Sequence, residues 1–123
     1  MEAIAANARK LGAAGALTQD AARRMLRTGD DGERVVASAA MQGNPDLTDV
    51  DGVLDAIGRS HSAFEQYHAL LALDSARDRL TADQQRAARE VILQQQQDQH
   101  GFLKPDNADR FALSNQLLAQ LKA

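Results

Sequence analysis

The segment LTQDAARRMLRTGDDGERVVASAAM, residues 17–41, predicts two amphipathic helices joined by a very short turn. Thr18 suits the N-cap position, because its hydroxyl can accept a hydrogen bond from an amide of the first helical turn. The first helix is expected to end before Gly29, and Asp30 and Glu33 then match a capping box, in which each side chain bonds the other residue's amide. The segment therefore predicts a helical hairpin, whose first helix has an apolar face made of Ala21, Ala22, Met25 and Leu26.

The hairpin pattern recurs along the chain. A shift of 32 residues aligns Thr28 with Ser60 and Glu33 with Glu65, at the starts of two predicted helices. Apolar positions agree at the same shift, which aligns Ala22 with Leu54, Met25 with Ile57, Val35 with Tyr67 and Met41 with Leu73. Because one hairpin cannot bury its apolar face alone, a period of this length is typical of stacked helical hairpins. We expect about seven short helices in a single domain, with units at residues 1–16, 17–46, 47–79 and 80–123.

The composition predicts an all-α fold. Apolar residues make up 44% of the chain but aromatic residues only 3%, so alanine and leucine must fill most of the core. Both are strong helix formers, whereas strands favour β-branched and aromatic residues. The expected architecture is a set of stacked antiparallel helical hairpins, and a closed helical bundle is the alternative.

Further helix signals lie outside the first hairpin. At the N-terminus, Ile4, Ala8 and Leu11 have helical spacing and predict a buried face that ends at Gly12. Thr48 is the expected N-cap of the next hairpin. Ser62 and Glu65 suit a capping box at the start of its second helix, as do Thr81 and Gln84 in the following unit. Asp106 or Asn107 is expected to cap a leucine-rich last helix.

The second helix of the first hairpin, DDGERVVASAAM, resembles the second helix of a HEAT-type repeat. The similarity consists of an acidic turn, an Arg-Val pair and small residues that lead to a large apolar one, carried by Asp30, Arg34, Val35, Ala39 and Met41. The arginine precedes the valine here, whereas it follows it in that family. The resemblance covers about residues 17–79. It implies an α-solenoid of a family that usually acts as a protein-binding scaffold, with some members adapted to nucleic acid or to enzymatic work.

Charge and cysteine content exclude several classes of partner. The formal net charge is −3, from 14 basic and 17 acidic residues, so the surface has no general attraction for a phosphate backbone. The chain has no cysteine, no long apolar run and no signal-peptide pattern, so we expect a soluble cytoplasmic protein without membrane contact. The expected partner is another protein or a domain of a larger assembly. A second copy of the chain, bound through the leucine-rich last helix, is the alternative.

The stretch SHSAFEQYH, residues 60–68, is the strongest candidate for a chemical site. His61, Glu65 and His68 are spaced so that their side chains could converge on a divalent metal ion or support acid–base chemistry. The competing interpretation is structural: Ser62 and Glu65 form a helix start, and His68 is partly buried. We expect the structural role, no cofactor and no enzymatic activity, because no nucleophile–base arrangement or phosphate-binding loop is present.

A stack of hairpins also predicts a binding surface. The second helices of successive hairpins would form one continuous surface suited to an extended partner. This surface is expected to include Arg34, Ser38, Gln66 and His68, provided that these side chains point outward.

Overall fold

The computed structural model describes residues 2–121, and the all-α prediction is confirmed over this range. Seven α-helices are present, as expected, and the described residues contain no strand. Two short 3-10 turns, Pro45–Leu47 and Arg77–Arg79, join helices. The helices are α1 (Glu2–Ala13), α2 (Gln19–Thr28), α3 (Asp31–Gly43), α4 (Val50–Gly58), α5 (Ala63–Ser75), α6 (Ala82–Gln97) and α7 (Ala108–Gln120).

The helices pack in two layers. Helix α2 contacts α3, α4 contacts α5 and α6 contacts α7, so each of these pairs forms a hairpin. The first helices of the hairpins follow one another in one layer, in the order α2, α4, α6. In the other layer α1 packs on α3, α3 on α5 and α5 on α7. Each hairpin therefore contacts the next one along the chain, and α1 extends the second layer at its N-terminal end.

One apolar core runs between the layers from α2 to α7. Its largest fully buried side chains are Met41, Ile57, Leu70, Leu73, Ile92, Leu103 and Leu117. A smaller apolar cluster lies between α1 and α3 and consists of Ala5, Ala8, Val35 and Ala39. Within residues 2–121, no helix has both the length and the apolar content needed to cross a bilayer.

Most predicted helix starts are confirmed by hydrogen bonds. The Thr18 hydroxyl accepts from the Ala21 amide at 3.1 Å. Both reciprocal bonds of the Asp30–Glu33 capping box are present, and so are those of the Thr81–Gln84 box. The prediction of Thr48 as a cap is wrong, because its amide bonds the Pro45 carbonyl and closes a 3-10 turn. Asp49 is the N-cap of α4 instead, and its carboxylate accepts from the Gly52 amide at 3.3 Å.

The predicted face of α1 is confirmed at Ala8 and is wrong at Ile4 and Leu11. Ile4 and Leu11 are 50% and 54% exposed, whereas Ala5, Ala8 and Gly12 are buried. The reason is close backbone approach: a Cβ atom on Gly12 would overlap the Ala40 carbonyl of α3. The side of α1 with the smallest side chains therefore faces α3, although the other side carries the larger apolar ones.

Helix α6 ends at Gln97, where Asp98 is the C-cap. The start of α7 differs in detail from the sequence prediction. Asn107 precedes α7, but its side chain makes no capping bond. Its amide group donates to the Phe102 carbonyl at 3.2 Å and closes the preceding loop.

Candidate functional site

Packing of α3 on α5 brings four charged or titratable side chains together. Asp31 and Arg34 lie in the first turn of α3, His61 lies in the α4–α5 connection, and Glu65 lies in the first turn of α5. We call these four residues the α3–α5 cluster. The short two-residue connection between α2 and α3 places the start of α3 beside the equivalent connection of the next hairpin.

Glu65 is the buried centre of the α3–α5 cluster, with 2% of its surface exposed. Its Oε1 atom lies 2.5 Å from Arg34 Nη2, and its Oε2 atom accepts a hydrogen bond from the His61 amide at 3.1 Å. Ser62 caps α5 through the Glu65 amide at 3.1 Å. The expected Ser62–Glu65 capping box is therefore only half formed, because the Glu65 carboxylate extends one residue further back and pairs with Arg34.

His61 forms the exposed edge of the α3–α5 cluster. Its Nδ1 atom lies 2.7 Å from Asp31 Oδ1, and the two side chains are 55% and 75% exposed. Asp31, His61 and Glu65 each offer a ligand atom, and these three atoms all lie within 4.8 Å of one another. The structure thus brings together two of the three predicted metal ligands, but the third member is Asp31 and not His68.

His68 occupies a separate buried position between α5, α3 and α1. It is completely buried, not partly buried as predicted. Its Nδ1 atom lies 2.9 Å from Gln42 Nε2, and Gln42 Oε1 accepts from Arg9 Nη1 at 3.3 Å. Because Gln42 presents its amino group to the ring, Nδ1 must be the acceptor, which assigns the proton to Nε2. That atom has no hydrogen-bond partner among residues 2–121, and Glu2 Oε2 lies 3.5 Å away.

The predicted outward-facing surface is wrong for three of its four residues. Ser38, Gln66 and His68 are each 0% exposed. Gln66 donates from Nε2 to the Ile57 carbonyl and to Gln95 Oε1, both at 2.9 Å, and so ties α5 to α4 and α6. Arg34 is engaged by Glu65. These side chains point inward because α3 packs against α1, α2 and α5, and α5 packs against α3, α4 and α7.

The environment of His68 makes stability depend on pH. Burial lowers the pKa of His68 from its ordinary value of 6.5; Glu2 opposes this shift and Arg9 adds to it. The unfolded chain therefore binds a proton at a pH where the folded chain does not, and folding loses stability as the pH falls below 6.5. We expect the free energy of unfolding, measured by urea denaturation, to decrease between pH 7.5 and pH 5 because of this residue.

The variant His68→Gln isolates this contribution, because glutamine can still accept from Gln42 but does not titrate. Its free energy of unfolding is expected to vary less with pH than that of the wild-type chain. His100→Gln is the matched control, since His100 is exposed, and it should keep the wild-type pH dependence. Equal pH dependence in the wild-type chain and in His68→Gln would show that His68 does not cause the effect.

The depression between α2 and α4 is a second polar region, where Arg27 and Asp49 pair within the chain. Arg27 donates from Nε and Nη2 to the Asp49 carboxylate at 2.6 and 2.8 Å. The hydrogen bond with Arg27 lowers the pKa of Asp49, and Asp49 raises the pKa of Arg27. Asp49 also caps α4. Through these contacts, Arg27 and Asp49 join helix α2 to helix α4, and this structural role accounts for both charged residues.

A groove between α4 and α6 has a different character. Its floor consists of Leu54 and Gly58 from α4 and Ala87 and Val91 from α6. Its rim carries Asp51, Asp55, Arg59 and Gln94, and all four are exposed. We call this feature the α4–α6 groove. It is an open surface with a small apolar floor and an acidic side.

Comparison with known proteins gives no match, whether to a protein-family model, to a curated protein or to a solved structure. The functional proposals below therefore depend on the side chains and surfaces of this chain.

Proposed function

We propose that the chain is a non-enzymatic helical-repeat module that binds a basic, partly apolar segment of another protein in the α4–α6 groove. The stacking of each hairpin on the next supports a repeat architecture, as does the HEAT-type resemblance of residues 17–79. Repeat proteins of this kind bind extended partners along surfaces formed by several units. The α4–α6 groove lies between two consecutive units, where such a partner would contact both.

The floor of the groove has room for apolar side chains. Gly58 and Ala87 are exposed, and a Cβ atom on Gly58 would meet only Val91 Cγ1, at an ordinary contact distance of 3.8 Å. Leu54 is 7% exposed and closes the bottom of the groove. A leucine, valine or methionine of a partner could bury its side chain here, with a gain of about 25 cal/mol for each Å² of apolar surface removed from water.

The charge of the rim indicates the chemistry of the partner. Asp51 and Asp55 are four residues apart on α4, so they lie on one face and repel each other. Arg59 contacts Asp55 at 3.2 Å, but these side chains are 81% and 62% exposed, and such an ion pair is easily replaced. A lysine or arginine of a partner would relieve the repulsion. A partner segment with basic and apolar residues therefore complements the groove.

A binding role without catalysis is supported by the titratable groups. Those with clearly shifted pKa values among residues 2–121 are Glu2, Arg27, Asp49 and His68, and each shift follows from an ion pair or from burial between helices. All four lie outside the α4–α6 groove. Their perturbation is accounted for by packing, so none of them indicates a poised acid or base at this surface.

Selection from a random peptide library displayed on phage tests this function. We expect enriched peptides to combine lysine or arginine with leucine, valine or methionine. The double variant Asp51→Asn/Asp55→Asn is expected to bind a selected synthetic peptide at least about tenfold more weakly in fluorescence anisotropy, because two favourable charge contacts are lost.

The matched control is Asp78→Asn/Asp106→Asn, which removes two exposed negative charges away from the groove. It should bind the peptide within about twofold of the wild-type affinity, since distant exposed charges are screened by salt. Selected peptides without an excess of basic residues, or an equal loss of affinity in both double variants, would contradict the proposed function.

A further inference from the structure

We propose that Asp31, His61 and Glu65 bind one divalent transition-metal ion of the Zn²⁺ type, and that this ion joins the first two hairpins. The site lies in the α3–α5 cluster and is separate from the α4–α6 groove, so the inference does not depend on the proposed function. It uses residues from three consecutive segments: the start of α3, the α4–α5 connection and the start of α5.

The donor set fits a small transition-metal ion. One imidazole nitrogen and two carboxylate oxygens all lie within 4.8 Å of one another. Zinc binds histidine nitrogen and carboxylate oxygen at about 2.0 to 2.2 Å, and three protein ligands can be completed by water. Asp31 and His61 are exposed, so their side chains are not held in place by surrounding packing. Calcium would require more oxygen ligands than these residues supply.

The Nδ1 atom of His61 already points at the Asp31 carboxylate, and the two groups would bind the same metal ion. It lies 2.7 Å from Asp31 Oδ1, as in a hydrogen bond whose proton lies between the two atoms. A metal ion at this place would replace that proton and bind both lone pairs. A metal ion and a proton would exclude each other at Nδ1, because histidine ligates a metal only through an unprotonated nitrogen.

Glu65 supplies the buried ligand of the site and part of its negative charge. It is 2% exposed, and its Oε1 atom is paired with Arg34 Nη2 at 2.5 Å, so one guanidinium already balances part of the charge of the cluster. With neutral His61, the two carboxylates outweigh the one guanidinium, so the cluster keeps a negative charge that a divalent ion would reverse.

The surrounding contacts hold the buried ligand in place. The His61 amide donates to Glu65 Oε2, and the Ser62 hydroxyl accepts from the Glu65 amide, which fixes the first turn of α5. Arg34 approaches the same carboxylate from α3. Such outer contacts orient metal ligands and are worth about 10- to 100-fold in affinity. Since the ligands come from both hairpins, the ion would stabilise their packing.

The test is titration of metal-free protein with Co²⁺, followed by visible absorption, and with Zn²⁺, followed by calorimetry and thermal melting. We expect one ion per chain and a melting temperature that rises with Zn²⁺ concentration, as linkage requires for a ligand of the folded state. His61→Ala and Asp31→Asn should each weaken binding by at least about tenfold. Both residues are exposed, so circular dichroism of these variants should match the wild-type spectrum.

His100→Ala is the matched control, because His100 is an exposed histidine outside the cluster. It should bind Co²⁺ and Zn²⁺ with the wild-type affinity. Absence of Co²⁺ absorption and of calorimetric heat with Zn²⁺ at millimolar concentration would overturn the proposal. Binding that is equal in the wild-type chain, His61→Ala and Asp31→Asn would overturn it as well.

Discussion

The variant Arg34→Leu is expected to lower the free energy of unfolding by about 3 to 5 kcal/mol, because it leaves the buried Glu65 carboxylate without its cation. Glu65 is 2% exposed and the Arg34 side chain 14% exposed, so water can replace little of the lost interaction. An effect of this size is a large part of the 5 to 15 kcal/mol that stabilises an ordinary domain. Urea denaturation followed by circular dichroism at pH 7 measures it.

A double-mutant cycle separates the ion pair from side-chain packing. Arg34→Leu/Glu65→Leu should be more stable than Arg34→Leu alone, because no unpaired buried charge remains. Arg59→Leu is the matched control: its partner Asp55 is exposed, and only a small change is expected. If Arg34→Leu were no more destabilising than Arg59→Leu, Glu65 could not be buried against Arg34 as described.

The second large effect is expected for Gly43→Ala, which should reduce the free energy of unfolding by about 2 kcal/mol or more through overpacking. A Cβ atom at Gly43 would overlap the backbone carbonyl of Arg9 and lie 2.8 Å from its carbon atom. Backbone atoms cannot rotate away, so α1 would have to move off α3. Amide hydrogen exchange in α1 should then become faster than in α5.

Gly32→Ala provides the control within the same helix. Its Cβ atom would meet only Asp30 Oδ1, at 3.5 Å, so this substitution should stabilise the chain by up to about 1 kcal/mol, as alanine does in helices. Displacement of α1 in Gly43→Ala should also move the pKa of His68 toward 6.5, since burial is the main cause that lowers this pKa and α1 lies against the ring. Equal stability of the two alanine variants would contradict close contact between α1 and α3.

Local features of this fold are predictable from sequence because their hydrogen bonds span few residues. The caps at Thr18, Asp30 and Thr81 each connect side chain and backbone three residues apart, and all three are confirmed. The same logic failed at Thr48: Asn44 and Pro45 have the cap-and-proline pattern of a helix start, and they form the 3-10 turn Pro45–Leu47, which moves the cap of α4 to Asp49. The helix order and the all-α class follow from such local signals.

Burial was harder to predict because it depends on which helices surround a residue. Ile4 and Leu11 are apolar and exposed, whereas Ser38 and Gln66 are polar and buried. Alanine and glycine on α1 permit the closest approach to α3. The stability gained by this close packing outweighs the stability that burial of the larger apolar side chains would contribute. Helices with neighbours on several sides, such as α3, bury positions that an amphipathic pattern assigns to the surface.

The α3–α5 cluster shows how far sequence spacing can predict a site. His61 and Glu65 were identified because they are near in sequence, but Asp31 and Arg34 join them only through the packing of two hairpins. The repeat shift contained a usable signal: it aligns His61 with Gly29, next to the start of α3. Stacked units place equivalent positions side by side, so the repeat shift predicts that residues at the two helix starts lie close together.

The most direct test of the proposed function is a two-dimensional ¹H–¹⁵N NMR titration of the chain with a library-selected peptide. We expect the largest amide shift changes in the α4–α6 groove, at Asp51, Asp55, Ala87 and Val91. We also expect the chain with Asp51→Asn/Asp55→Asn to show smaller changes at the same peptide concentration. If the largest changes occurred at α1 or at the α3–α5 cluster while those four amides were unaffected, the result would contradict the proposed function.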